Sequence, residues 1–209
     1  MNSKRSLVRR TGALVAAGAA TLVLAACGGG DSAAEHDSHT TKSPSASARA
    51  SASTGQHNAA DIAFAKGMIP HHRQAVEMSG LAPSRTDSAE VKKLVTDIKK
   101  AQDPEIKTLS GWLTSWGEKV PAEGDMGHSV HGSGGMMTAE EMRQLKDSSG
   151  KAFDTAFMEM MIKHHKGAVE MAKTEQADGA YEPAQKMAGE IITSQTAEIT
   201  RMNKLLGKN

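Results

Sequence analysis

The chain contains one sequence twice, and this duplication limits the folds that are open to it. Residues 61–113 align without a gap on residues 154–206, an offset of 93 positions. The stretch DIAFAKGMIPHHRQAVEM, from Asp61, falls on DTAFMEMMIKHHKGAVEM, from Asp154. A match held over some fifty residues indicates one structural unit present in two copies. The second part of each copy also agrees, at Ile98 and Ile191, Gln102 and Gln195, Glu105 and Glu198, Ile106 and Ile199, and Leu113 and Leu206.

Each copy is predicted to form two helices. Apolar residues recur at helical spacing, Gly and Pro are scarce between the breaks, and no stretch alternates with the period of two that is typical of strands. The sequence TAEE from Thr138 indicates a capping box and therefore one further short helix. We expect an all-α fold, a four-helix bundle made of two repeated helical hairpins. The predicted long helices span 59–80, 88–116, 151–175 and 182–206.

The region before the repeats is predicted to lie outside the bundle. Residues 1–26 begin with basic side chains and continue as a short apolar run that ends at LAAC, which is typical of a bacterial lipoprotein signal peptide. Cleavage would leave Cys27, the single cysteine, as the lipidated first residue. The alternative is an ordinary secretory signal with an incidental cysteine, and Sec and twin-arginine export both remain open. Residues 27–58, rich in Gly, Ser and Ala, are expected to form a flexible linker.

This N-terminal region bears on location and partners. We expect the mature protein at the cell membrane, on its extracytoplasmic face, anchored through the lipid on Cys27. The signal peptide holds four basic residues and no acidic one, so the formal net charge of +1 becomes about −3 in the mature chain. Such a balance argues against nucleic-acid binding, which requires a basic surface.

Helical geometry separates the two histidines of each pair. At about 100° per residue, His71 falls at the centre of the apolar stripe of the first helix and His72 falls on its flank. The second copy places His164 at the centre and His165 on the flank in the same way. Four methionines share these stripes, namely Met68, Met78, Met161 and Met171.

The second helix of each copy carries a carboxylate within its apolar stripe. Glu105 and Glu198 are predicted to point into the core, with Gln102 and Gln195 near them. A carboxylate in a core is costly unless it is paired or bound to a metal ion. The predicted interior therefore brings imidazole, carboxylate and thioether groups together.

Three interpretations of this interior are open. The first is a hydrogen-bonded His–Glu pair in each repeat that satisfies buried polar groups. The second is a di-iron carboxylate site, which needs Glu-x-x-His on two helices. Because Met68 and Met161 stand three residues before His71 and His164, iron is disfavoured. The third is a soft-metal site, since thioether and imidazole ligands select copper(I), with silver as an alternative ion.

The loop between the repeats supports the third interpretation. The duplicated domain 59–206 divides into repeat one (59–116), a loop (117–137) and repeat two (138–206). The loop is rich in Gly, His and Met, and we expect it to be solvated, so that methionine has no packing role there. The alternative is a plain glycine-rich linker. The candidate auxiliary metal ligands are Met126, His128, His131, Met136 and Met137.

The two histidine-bearing helices also carry a family resemblance. FAKGMIPHHRQAVEMS and FMEMMIKHHKGAVEMA, each followed by Q-x-x-E-I, resemble the domain of unknown function 305 family over residues 59–206. The resemblance implies a ferritin-like bundle that is usually exported, and some members bind copper and contribute to copper resistance. No catalytic activity is established for the family as a whole. The resemblance puts weight on Met68, His71, His72, Met78, Met161, His164, His165 and Met171.

We therefore expect an extracytoplasmic lipoprotein that binds copper(I) for sequestration, tolerance or delivery. His71 and His164 would be the central ligands, methionine sulfurs would complete the site, and His72 and His165 would bind or support it. Glu105, Glu198, Gln102 and Gln195 would orient the imidazoles, and copper-handling envelope proteins are candidate partners. The chain has no arrangement typical of a nucleophilic enzyme and no phosphate loop, so we do not expect catalysis. The alternative is a helical interaction module at the cell envelope that binds no metal.

Overall fold

The protein is all-α, as the sequence predicts. The computed structural model describes residues 55–123 and 133–208, and in these ranges the chain forms helices and no strand. The bounds of the four long helices lie within three residues of the predicted ones. Within the same ranges, no helix combines the length and the apolar character needed to cross a membrane. The helices are α1 (Ala59–Leu81), α2 (Ala89–Ser115), α3 (Ala139–Asp147), α4 (Gly150–Asp178) and α5 (Glu182–Leu205).

Polar side chains define where the helices begin. At the start of α1, the Asn58 side chain accepts from the N–H of Asp61, and the Asp61 carboxylate accepts from the N–H of Asn58. Thr138 and Glu141 form the same reciprocal capping box at α3, which confirms the short helix predicted from TAEE. Each box satisfies backbone donors that the first helical turn leaves without partners.

Helices α1 and α4 form the centre of the bundle and run in opposite directions. The carboxylate of Asp61 in α1 accepts from the N–H of Tyr181, which lies just beyond the end of α4. At the other end, the N–H of Gly150 donates to the carbonyl of Arg85, just beyond α1. Helix α2 packs on α1 and α5 packs on α4, so each repeat contributes one helical hairpin.

The apolar core divides into two clusters. One cluster contains Met78 and Met161 and draws on all five helices, because it also includes Leu145 of α3. The other contains Met68, Leu109, Ala168 and Ile191 from the four long helices.

Candidate metal centre

The first histidines of the two repeats meet at the contact between α1 and α4. The ring centroids of His71 and His164 are 3.6 Å apart and the ring planes are tilted by 37°. Their exposed fractions are 1% and 0%. The prediction that these two residues point into the core is therefore confirmed. The structure adds that they lie against each other, at the interface of the two copies.

The second histidine of each pair contacts the neighbouring helix of its own repeat. Nε2 of His72 donates to the Glu105 carboxylate on α2 over 2.7 Å, and Nε2 of His165 donates to Glu198 on α5 over 2.6 Å. A hydrogen-bonded His–Glu pair is thus present in each repeat.

These contacts correct two predicted positions. His72 and His165 are fully buried and do not lie at the edge of the core, because α2 and α5 cover the flank on which the helical wheel places them. The carboxylates lie further out than predicted, with side-chain exposures of 21% for Glu105 and 19% for Glu198. A wheel drawn for one isolated helix cannot include the helix that packs on its flank.

Several imidazole nitrogens in this interior lack a hydrogen-bond partner among the described residues. They are Nδ1 of His71, His72, His164 and His165, together with Nε2 of His164. The buried side chains of Gln102 and Gln195 each have an unpartnered Oε1 as well. Buried polar atoms are normally satisfied by a protein group, by water or by an ion, so these atoms are candidates for binding water or an ion.

The central imidazoles are neutral at physiological pH. Burial, followed by the neighbouring His72 and His165, lowers the pKa of His71 to about 3, against the opposing effect of the Gly134 carbonyl. Burial, followed by the proximity of His71, holds the pKa of His164 well below its ordinary value. A neutral imidazole keeps a lone pair, which metal binding requires. The residues present therefore fit a metal ion that prefers nitrogen and sulfur.

The predicted methionine ligands lie at two levels of the bundle. Met68 and Met161 are fully buried and stand one turn before His71 and His164, where side chains are neighbours on the helix surface. Met78 and Met171 stand seven residues after the histidines, roughly 10 Å along the helix axis. They cannot lie at the level of the histidine in their own helix.

Antiparallel packing brings these outer methionines to the opposite helix. The sulfur of Met171 is 3.5 Å from the position that a β-carbon on Gly67 would occupy, so it lies beside the turn of Met68. Met78 shares a core cluster with Met161. Each side of the central histidine pair therefore carries one methionine from each repeat: Met68 and Met171 lie on one side, and Met78 and Met161 lie on the other.

Two of the predicted loop ligands lie in the described part of the chain. Met137 is only 4% exposed and packs in the core cluster of Met78 and Met161, so the prediction that it has no packing role is wrong. Met136 is partly exposed. Met126, His128, His131 and the lipidation candidate Cys27 lie outside the described residues. Within residues 55–123 and 133–208, no three or more His, Asp or Glu side chains are grouped as a metal site.

The sequence does not predict a buried carboxyl pair at one end of the bundle. Burial, followed by the proximity of the Asp61 carboxyl group, raises the pKa of Glu175 to about 8. Burial alone would raise the pKa of Asp61, but the proton of Glu175 and backbone N–H groups outweigh it and lower that pKa. These two opposite shifts favour a protonated Glu175 beside an ionised Asp61. No pattern predicts this pair, because the position of Glu175 is occupied by Ala82 in the first repeat.

A family model matches the duplicated helical domain. The model of the domain of unknown function (DUF305) matches residues 61–206, which is most of the chain. The chain belongs to the DUF305 family. The resemblance stated from the sequence is therefore confirmed.

Solved structures of DUF305 proteins share this fold. A DUF305 protein of Streptomyces coelicolor that is assigned as secreted is 36% identical, with a TM-score of 0.64, covering 71% of this chain and 93% of that one. CopM in its Cu(I)-bound form is 30% identical, with a TM-score of 0.58, covering 69% of this chain and 94% of that one. CopM has also been solved with Cu(II) and with silver.

One curated relative matches only a short part of the chain. A protein of Acanthamoeba polyphaga mimivirus, itself uncharacterized, is 40% identical over 53 residues. The match covers 25% of this chain and spans about a third (35%) of the relative's length.

Proposed function

We propose that this DUF305 protein binds copper(I) between α1 and α4 and holds it for sequestration, tolerance or delivery. The observation that carries the proposal is the group of buried imidazole nitrogens that have no partner among the described residues and lie beside fully buried methionines. Imidazole and thioether together favour copper(I) over harder ions such as magnesium or calcium. The copper- and silver-bound forms of CopM support the same choice of ion, and silver is the alternative cargo here.

The central ligands in this proposal come from both repeats. His71 and His164 supply nitrogens at the interface of α1 and α4, where their rings are in contact. Met68 and Met161, one turn before them, supply the nearest thioether sulfurs. Because these ligands are neutral, the positive charge of the ion is retained in the complex and is not compensated by a buried carboxylate.

The two outer histidines support this group from either side. Each of His72 and His165 donates Nε2–H to a carboxylate, which fixes the orientation of its ring and leaves Nδ1 free. A carboxylate behind a histidine raises its basicity and holds its tautomer. Glu105 and Glu198 therefore act as orienting groups, and their partial exposure connects the buried histidines to solvent.

The remaining parts of the proposal follow from the sequence. We propose a binding protein and not an enzyme, anchored through Cys27 on the extracytoplasmic face of the cell membrane. The loop residues Met126, His128 and His131 would collect copper or pass it to copper-handling envelope proteins. The assignment of the Streptomyces coelicolor relative as a secreted protein supports an extracytoplasmic location.

A copper(I) competition titration tests the central claim. We expect the His71→Ala/His164→Ala double variant to lose copper(I) affinity by at least 10-fold relative to the native chain. His57→Ala is the matched control, because His57 stacks on Trp116 and not on the central pair. Equal affinity in the native chain and the double variant would exclude the core site and leave the loop as the candidate.

A further inference from the structure

A short segment of chain crosses the contact between α1 and α4 beside the central histidines. It comprises Gly134, Gly135, Met136 and Met137, and is called the crossing segment below. Gly134 and Gly135 have φ values of +83° and +77°, which side chains with a β-carbon rarely adopt. The carbonyl of Gly134 accepts a hydrogen bond from Nε2 of His71 over 2.8 Å.

Helix α1 holds this segment through a buried glutamine. The side-chain amide of Gln74 donates to the carbonyl of Met137 over 2.9 Å and accepts from the N–H of Met137 over 2.7 Å. Gln74 is fully buried, so water does not replace either bond at low cost. The crossing segment is therefore fixed to α1 one turn beyond His71.

Helix α4 accommodates the segment through a missing side chain. A β-carbon added to Gly167 would overlap the carbonyl group of Gly134. A β-carbon added to Gly135 would overlap the carbonyl of Lys163 in the same helix. The backbone of the segment thus lies directly on the backbone of α4, beside His164.

Gln74 and Gly167 occupy the same position in the two repeats. The motif reads HHRQAVEM in the first copy and HHKGAVEM in the second, so the two copies differ here although the residues after it are identical. The crossing segment explains the difference, because one helix must bind it and the other must leave room for it. A strictly symmetric repeat would lose either the hydrogen bonds or the space.

We propose that Gln74 and Gly167 are positioning residues that hold the Gly134 carbonyl on His71 and so fix its tautomer. The carbonyl can only accept, so His71 carries its proton on Nε2 and presents the Nδ1 lone pair to the core. Nδ1 is buried and has no partner among the described residues. It is thus the nitrogen through which His71 would bind copper(I), and this last step rests on the proposed function.

The same geometry makes the two central histidines different. Neither ring nitrogen of His164 is hydrogen-bonded to a residue in the described ranges, so none of those residues selects its tautomer. His72 and His165 donate to Glu105 and Glu198 and do not depend on the crossing segment. These two histidines provide internal references for an experiment.

Nitrogen-15 spectra of the histidine rings in the metal-free full chain test the proposal. We expect His71 of the native protein to be protonated at Nε2 and unprotonated at Nδ1. In Gln74→Leu, which removes both bonds to Met137, and in Gly167→Ala, which displaces Gly134, His71 should show a measurable fraction of the other tautomer. The resonances of His72 and His165 should not change. Gly111→Ala is the control, because a β-carbon there meets no atom within 4 Å.

The native spectrum by itself tests the tautomer of His71, even if one of the variants does not fold. A proton on Nδ1 of native His71 would overturn it, as would an unchanged tautomer in folded Gln74→Leu and Gly167→Ala. Silver titration then separates the two proposals. The nitrogen-15 resonance of Nδ1 of His71 should shift, and Gln74→Leu should bind silver at least about 10-fold more weakly than the native protein. No silver-dependent shift at any histidine would contradict the proposed function, whereas the metal-free spectra alone determine the tautomer.

Discussion

The imidazole rings of His71 and His164 lie 3.6 Å apart between centroids, although the residues are 93 positions apart in the chain and belong to different repeats. The contact arises because α1 and α4 cross in opposite directions and each places its histidine at the crossing. A site built on this contact is shared by the two copies of the repeat.

The shared position predicts one copper(I) ion at the central pair and strong coupling between its two histidines. His71→Ala and His164→Ala should each cause most of the affinity loss seen in the double variant, because the effects of substitutions within one site are not additive. Competition titrations of the native chain, both single variants and the double variant measure this. Binding of two ions, together with independent and additive affinity losses in the two single variants, would instead indicate one site in each repeat.

The thioethers of Met68 and Met161, one turn before the central histidines, should matter for metal binding more than for stability. Met68→Leu and Met161→Leu conserve volume, so each should change the free energy of unfolding by less than about 1.5 kcal/mol. Loss of a sulfur ligand should nevertheless weaken copper(I) and silver binding about 10-fold. Met142→Leu is the control, since Met142 is buried in the core but is not a proposed ligand. If all three variants bind silver equally well, Met68 and Met161 only fill the core.

The raised pKa of Glu175 predicts a decline of stability towards alkaline pH. The pKa of Glu175 is about 8 in the folded protein, against an ordinary value of 4.5. Between these pH values the unfolded chain has released a proton that the folded chain keeps, so stability falls as the pH rises. Each unit of the pKa difference corresponds to about 1.4 kcal/mol.

Glu175→Gln removes this dependence while keeping the size of the side chain. We expect urea denaturation to show a variant that loses less stability than the native protein between pH 5 and pH 8, and that is the more stable of the two at pH 8. The contributions of the other titrating groups to the pH dependence of stability cancel in the difference between the two proteins. Parallel pH profiles would show that Glu175 is ionised in the folded state across this range.

Asp61 and its repeat counterpart Asp154 should differ in their effect on stability. The buried Asp61 carboxylate accepts backbone N–H groups of Asn58, Ala180 and Tyr181, and so joins the start of α1 to the turn after α4. Asp61→Ala should cost about 3 kcal/mol, because buried donors lose a charged acceptor. Asp154 is less buried, and its Oδ1 has no partner within the described residues. Asp154→Ala should therefore cost less than about 1 kcal/mol, and equal losses in thermal or urea unfolding would contradict the assignment.

Helical periodicity predicted most of the fold because it is a local property. The long helices begin and end within three residues of their predicted bounds, and the capping box at Thr138 is where TAEE indicates it. The central positions of His71 and His164 also follow from one helix at a time. The edge position predicted for His72 was wrong, because α2 covers that side of α1. Met137 was placed in solvent by composition, but Gln74 holds its backbone and its side chain enters the core.

The sequence by itself determined that this protein is a duplicated helical unit with one histidine of each pair turned inward among methionines. It did so because repetition and a period of 3.6 residues are written in the order of the residues. Only the tertiary structure decided that the two inward histidines meet, that Glu105 and Glu198 hold the other two, and that Gly134 accepts from His71. These are contacts between segments 33 to 93 positions apart, and they depend on how helices cross, which no local pattern specifies.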